Sequence, residues 1–119
     1  MINLIKVLHY GISENRGGIE TYLYKLWKNI DRTKFHFDFI DTNLGKPCFY
    51  DEFREMGSRF FKITPRKKSL YKNKKDLEKL FKEEKFDILH CHLNTFSYIE
   101  PIKIALKYKC KVIIHSRNS

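Results

Sequence analysis

Asn15-Arg16-Gly17-Gly18-Ile19-Glu20-Thr21 divides two kinds of hydrophobic pattern, and the fold follows from how it is read. Upstream, Ile2 to Tyr10 is a near-continuous apolar run, the pattern of a buried strand with its body at about Leu4 to His9. Downstream, Ile19, Tyr22, Leu23, Leu26, Trp27 and Ile30 fall at helical spacing, which predicts a helix from Gly18 to Ile30. Glycines at such a junction let the backbone approach a ligand closely and adopt φ values that other residues avoid. The first N–H groups of the helix are unpaired there, and the helix end carries about half a positive charge. The junction suits a bound anion such as a phosphate, and it equally suits a plain tight turn from strand to helix.

The alternation continues along the chain. Phe35 to Ile40 is a second strand, and Asn43-Leu44-Gly45-Lys46-Pro47 is a loop by its turn residues. A short helix from Phe49 to Met56 ends at Gly57, which is placed to cap it. Phe60, Phe61 and Ile63 form a brief third strand that stops before Pro65. Ser69 caps the next helix, whose buried stripe is expected at Leu70, Leu77, Leu80 and Phe81. Phe86 to Cys91 is a fourth strand, Thr95 to Tyr108 a helix with Pro101 in its first turns, and Lys111 to His115 a fifth strand. Strands alternating with helices predict a parallel sheet covered on both faces: an α/β, Rossmann-like, doubly wound fold of about five strands. Right-handed crossovers favour the order 3-2-1-4-5.

With 119 residues, 42% hydrophobic and 15% aromatic, the chain suits one folded domain with a single core. No apolar run approaches the roughly 20 residues that span a bilayer. Met1 leads straight into the first strand without a basic leader, so a cytoplasmic protein is expected. Cys48, Cys91 and Cys110 have no C-x-x-C spacing and fit free thiols in a reducing compartment. The net charge of +10 is uneven. Between Lys62 and Lys85, ten basic residues face four acidic ones, so this segment alone supplies +6. Such a field favours an anionic partner, or else marks a solvated helix face.

Ligands of these sheets bind at the carboxyl ends of the strands, near the point where strand order reverses. That edge would gather the glycine loop, His9, His90-Cys91-His92-Leu93-Asn94, and His115-Ser116-Arg117-Asn118-Ser119. If the fourth strand continues that far, His90 and His92 share one face and Cys91 takes the other. No ligand spacing promises a metal site, and each histidine alone suits a hydrogen-bonded strand end. G-x-G-x-x-G, G-K-[ST], H-E-x-x-H and the nucleophile elbow do not occur. Paired carboxylates are missing at this edge, and Glu20 is expected only to complement the helix dipole.

With those residues laid out, the chain resembles the N-terminal domain of a retaining GT-B glycosyltransferase of the family-4 type, a group that builds bacterial capsular and surface polysaccharides. The likeness rests on Asn15-Arg16-Gly17-Gly18-Ile19-Glu20-Thr21-Tyr22, Asp38-Phe39-Ile40, Asp87-Ile88-Leu89-His90-Cys91-His92 and Ile113-Ile114-His115-Ser116-Arg117-Asn118-Ser119. It implies that residues 1–119 are the acceptor-side half of a two-domain cleft and lack the donor-binding domain with its E-x7-E segment. It further implies that Arg16, Gly17 and Gly18 lie near the donor diphosphate and the acceptor, that His92 and Asn94 help form the acceptor pocket, and that His115, Arg117 and Asn118 line the cleft. Arg117 stands where the family often has a sugar-contacting histidine, which leaves the catalytic contact open.

The implied partners are a nucleotide-sugar donor, which is a substrate and no cofactor, and a glycan or lipid-linked acceptor. No metal is implied. In this setting Arg66, Lys67, Lys68, Lys72, Lys74 and Lys75 would hold the domain against the anionic inner face of the membrane. A flavodoxin-like receiver module is the rival, but it wants clustered acids at the strand ends, where only Asp41 qualifies. Nucleic acid is not an expected partner, because the basic helix lacks interleaved base-stacking aromatics.

Overall fold

The computed structural model describes residues 4–11, 18–43, 45–93 and 99–116. In chain order the elements are β1 (Ile5–Tyr10), α1 (Gly18–Asn29), β2 (Phe35–Asp41), α2 (Tyr50–Glu55), β3 (Phe60–Lys62), α3 (Leu70–Glu83), β4 (Ile88–Leu93), α4 (Glu100–Lys107) and β5 (Lys111–Ser116). All strand pairs are parallel, in the expected order β3-β2-β1-β4-β5. β1 therefore lies at the centre. The chain winds outward from it to β2 and β3, then crosses back to β4 on its other side.

Strand alternation sorts the core into two layers. Val7 of β1 and Phe37 and Phe39 of β2 face α1 and α2, packing with Leu23, Trp27 and Phe53. Leu8, Ile40, Leu89 and Cys91 face the other way, onto Leu77, Leu80 and Phe81 of α3 and Ile104 and Ala105 of α4. The first layer is largely aromatic: Trp27 stacks on Phe37 with centroids 4.8 Å apart, and Phe39 lies 4.5 Å from Phe53. Burying a ring of this size contributes about 1.5–3 kcal/mol.

Polar side chains fix what the apolar layers leave loose. Asp38 is buried in β2, where a lone carboxylate would be costly. It accepts hydrogen bonds from the Arg59 backbone N–H at 2.8 Å and the Arg59 guanidinium at 2.9 Å, and it pairs with His36 Nε2 at 2.9 Å. Arg59 also reaches Glu84 beyond the end of α3 at 2.8 Å. The charge-assisted bond to Asp38 leads the causes that hold the Arg59 guanidinium above its usual pKa.

Most boundaries fall within two residues of those expected, which is the ordinary scatter at element ends. β4 starts later than expected, at Ile88, and continues through His92 because that residue pairs in register with His115. The last helix starts at Glu100, with Pro101 in its first turn; residues 94–98 lie outside those described. Ser69 caps α3 as expected, its hydroxyl accepting from Lys72 N–H at 3.2 Å, and Gly57 follows α2 at φ 96°.

The stripe of α3 needs correction. Leu70 is 54% exposed, and Asn73 takes the buried place one turn on, fully enclosed. Asn73 lies on the same face as Leu77 and Leu80, and its side-chain amide donates to Thr64 C=O at 2.7 Å, a carbonyl in the loop after β3 that the sheet does not satisfy. Asp76 accepts from both the backbone N–H and the hydroxyl of Thr64, at 2.9 and 2.7 Å. A leucine at position 73 would bury as well but would leave that carbonyl unpaired.

One glycine is dictated by space. Gly11, directly after β1, has φ +109°, and a Cβ there would sit 2.2 Å from the backbone oxygen of His92. The close approach of this turn to the end of β4 admits no side chain.

Two measurements check these statements. Asn73→Ala should lower stability in urea denaturation by about 1–3 kcal/mol, the cost of a stranded buried carbonyl; a loss below about 0.5 kcal/mol, ordinary for surface changes, would contradict the assignment. Gly11→Ala should cost at least about 2 kcal/mol through strain and the clash with β4, and an unchanged melting midpoint would show that the two strand ends are not held so closely.

Candidate functional site

β1 and β4 are neighbours at the switch point, and their register brings four histidines together. His9 pairs with His90, and His92 pairs with His115. Because His90 and His92 are two residues apart in one strand, they share a face, and Cys91 points into the opposite layer as expected. His9 and His115 join that same face from the two flanking strands. The ring centroids of His90 and His92 are 4.1 Å apart, those of His9 and His90 5.3 Å, and those of His92 and His115 5.6 Å.

Depth is graded across the group. His9 is fully buried against Phe37 and Phe39, with centroids at 4.4 and 5.3 Å, and His92 is nearly as deep. His90 is half-buried and His115 exposed. His9 Nδ1 and His92 Nε2 share a hydrogen bond of 3.3 Å, so one of the two nitrogens donates and the other accepts. Burial, and then the neighbouring His92 and His90, hold His9 well below the ordinary 6.5. Burial, and then His115, lower His90 as well. These two rings are therefore neutral at physiological pH, able to donate from one nitrogen and accept at the other.

Three other titratable side chains near the strand ends are held out of use. Burial pushes the Cys91 thiol up to about 12, far from a thiolate nucleophile. Tyr10, at the end of β1, is also raised to about 12 by burial. Asp41 accepts from Lys62 Nζ at 3.1 Å and from Asn43 N–H at 2.9 Å, which commits it to the turn after β2. Among the described residues the only group of three or more His, Cys, Asp or Glu side chains close enough to share an ion is His9, His90 and His92. The acid cluster that a receiver module requires is therefore not found among them.

Of the residues singled out from sequence, Gly18, His92 and His115 are described, whereas Arg16, Gly17, Asn94, Arg117 and Asn118 lie outside the described residues. Gly18 opens α1. One turn later the Tyr22 ring meets His115 edge-on, with centroids 6.3 Å apart, so the start of α1 lies over the exposed end of the histidine row. Sequence reading placed His9 and His90 at this edge without assigning them a part in the site. The signal was present: histidines two apart in one strand, and a third in a neighbouring strand of the same predicted sheet. Their common face depended on a register that no single strand reveals. Glu20, expected only to complement the helix dipole, is also buried.

The basic residues form a separate surface. Arg66, Lys67 and Lys68 occupy the turn before α3, and Lys72, Lys74 and Lys75 its first two turns, all exposed. Leu70 and Tyr71, 54% and 67% exposed, stand among them. This turn follows the carboxyl end of β3 and so belongs to the same edge of the sheet as the histidines. No helix among the described residues is long and apolar enough to cross a membrane.

Comparison with known proteins gives the family. Residues 16–118 match the family model described as Glycosyltransferase Family 4. A protein of Bacillus subtilis (strain 168) named "Putative glycosyltransferase EpsF" is 41% identical over 59 residues, 49% of this chain but 15% of that protein. No solved structure matches. With its parallel 3-2-1-4-5 sheet and a family match running from residue 16 to residue 118, the chain belongs to glycosyltransferase family 4.

Proposed function

We propose that this domain is the acceptor-side wall of a GT-B cleft. There a hexosyl-type sugar passes from a nucleotide-sugar to a glycan or lipid-linked acceptor during bacterial surface polysaccharide synthesis. The observation that carries the reading is the row of imidazoles along the carboxyl edge of the sheet, beside the start of α1, in a chain matched to the family along nearly its whole length. Imidazole rings, which can donate from one nitrogen and accept at the other, suit sugar hydroxyls, which do the same. His92 and His115, with Asn94 and Asn118 beyond the described residues, would orient the acceptor. Arg16, Gly17 and Gly18 would bring backbone N–H groups and positive charge to the donor's diphosphate.

On this reading the donor is gripped chiefly by a second α/β domain. Transfer depends on holding two substrates in register, so one wall alone loses the orientation that converts binding into rate. The charge that develops is met by donors and helix termini, and the reaction takes no metal cofactor and involves no nucleic acid.

The exposed Leu70 and Tyr71 sharpen the role of the basic turn. An apolar pair ringed by Arg66, Lys67, Lys68, Lys72, Lys74 and Lys75 fits the interface of an anionic bilayer, with the rings and methyls entering the headgroup region and the cations meeting phosphates. A cytoplasmic enzyme held peripherally there would meet a lipid-linked acceptor in two dimensions.

Transfer assays with nucleotide-sugars and lipid-linked acceptors test the first proposal. The pure 119-residue chain should transfer nothing, while the full two-domain protein transfers sugar and its His92→Ala variant loses about tenfold in kcat/KM, the ~1.4 kcal/mol of one good hydrogen bond. Turnover by the isolated chain, or an unaffected His92→Ala enzyme, would overturn it. Vesicle co-sedimentation tests the second. Binding should require anionic lipid, fall with salt, weaken by about 1 kcal/mol for each cation removed, and weaken again in Leu70→Ser/Tyr71→Ser at constant charge; binding indifferent to lipid charge and salt would refute the membrane role.

A further inference from the structure

The histidines at the floor of the edge are closer than packing requires. Neighbouring positions on this face are filled by Phe37 and Phe39, which bury without a polar cost, whereas three imidazoles bring six ring nitrogens into the same layer. His9 Nδ1 and His92 Nε2 share a hydrogen bond.

The spacing itself matches another use. Two imidazole nitrogens bound to a tetrahedral zinc ion at about 2.0–2.1 Å stand roughly 3.3–3.4 Å apart. His9 Nδ1 and His92 Nε2 are already at 3.3 Å. Together with His90, the three residues can each offer one ring nitrogen such that all three lie within 4.8 Å of one another. Closing that remaining gap is a small ring movement for His90, which is half-buried and borders the exposed His115 side. His9 and His92 give up their shared hydrogen bond on binding the ion: each takes the tautomer with its proton on the outer nitrogen, and each ring turns so that its lone pair aims at the common ion. Among the described residues no thiol or carboxylate shares this cluster, and an all-imidazole set suits zinc, copper, nickel or cobalt better than magnesium or calcium.

The geometry points to a three-imidazole site for a zinc-class divalent ion, with His9, His90 and His92 as ligands and a fourth position open toward His115. Such an ion would clip β1 to β4 across the centre of the sheet. It is distinct from the transfer chemistry proposed above, which takes no metal, and by occupying His92 it would compete with acceptor binding.

Co2+ is the probe, titrated into the chelator-treated 119-residue chain. The expected result is one ion per chain with the visible d–d bands of a low-coordinate cobalt–imidazole centre, displaced by Zn2+, with a raised melting midpoint in the presence of the ion. His90→Ala should weaken binding on the order of tenfold or more, whereas His36→Gln, in β2 and outside the cluster, should leave it unchanged. No binding, binding undiminished in a folded His90→Ala chain, or loss on His36→Gln would overturn the assignment. Zinc-edge X-ray absorption on the unsubstituted chain decides the matter independently of any variant: three histidine ligands support the site, and fewer than three refute it.

Discussion

The parallel register that seats β1 between β2 and β4 governs the rest of this molecule. A central parallel strand is covered on both faces, so its side chains must satisfy two layers at once. Val7 and Leu8 do so as neighbours in sequence, one beneath α1 and the other beneath α3 and α4. The same register aligns His9 with His90, and the next strand over aligns His92 with His115. Slipping β1 by a single residue would turn His9 into the aliphatic layer and Leu8 onto the imidazoles. Core and candidate site are therefore fixed by one pairing, and neither can change without the other.

Much of this was legible in the order of residues. The change of hydrophobic period at Ile19 marked β1 and α1, and repeated strand–helix alternation implied a parallel sheet whose order the structure reproduces. Ser69 and Gly57 announced their helix ends through local chemistry. What local pattern could not supply was tertiary demand. At the start of α3, apolar character favours Leu70 for burial over Asn73. The stranded carbonyl of Thr64 reverses that choice, because an amide there removes a desolvation cost that a leucine cannot. Asp38 was legible as part of a strand and a family motif, but its burial depends on Arg59, twenty-one residues away. The histidines were legible as strand-end residues. Their assembly into one face required knowing which strands are neighbours and in what phase.

The site has an electrostatic character that its composition hides. A chain of net charge +10 places at the heart of its working edge a set of rings of which the deepest is held uncharged. The positive field comes instead from the turn before α3 and its first two turns, on the same edge but in separate residues. On the proposed reading, contact with an anionic membrane and recognition of sugar hydroxyls fall to different residues, so one can vary without loss of the other.

Alternation along β4 has a chemical consequence of its own. Residues 90, 91 and 92 place two imidazoles on one side of the sheet and a thiol on the other, with the backbone ladder between them. Borderline ions and soft electrophiles approaching this strand are thereby sorted to opposite layers. Cys91 is sealed among Leu8, Leu89 and the helices behind it. The two-residue period of a strand, usually valued for separating oil from water, here keeps apart two side chains that would otherwise react with the same partners.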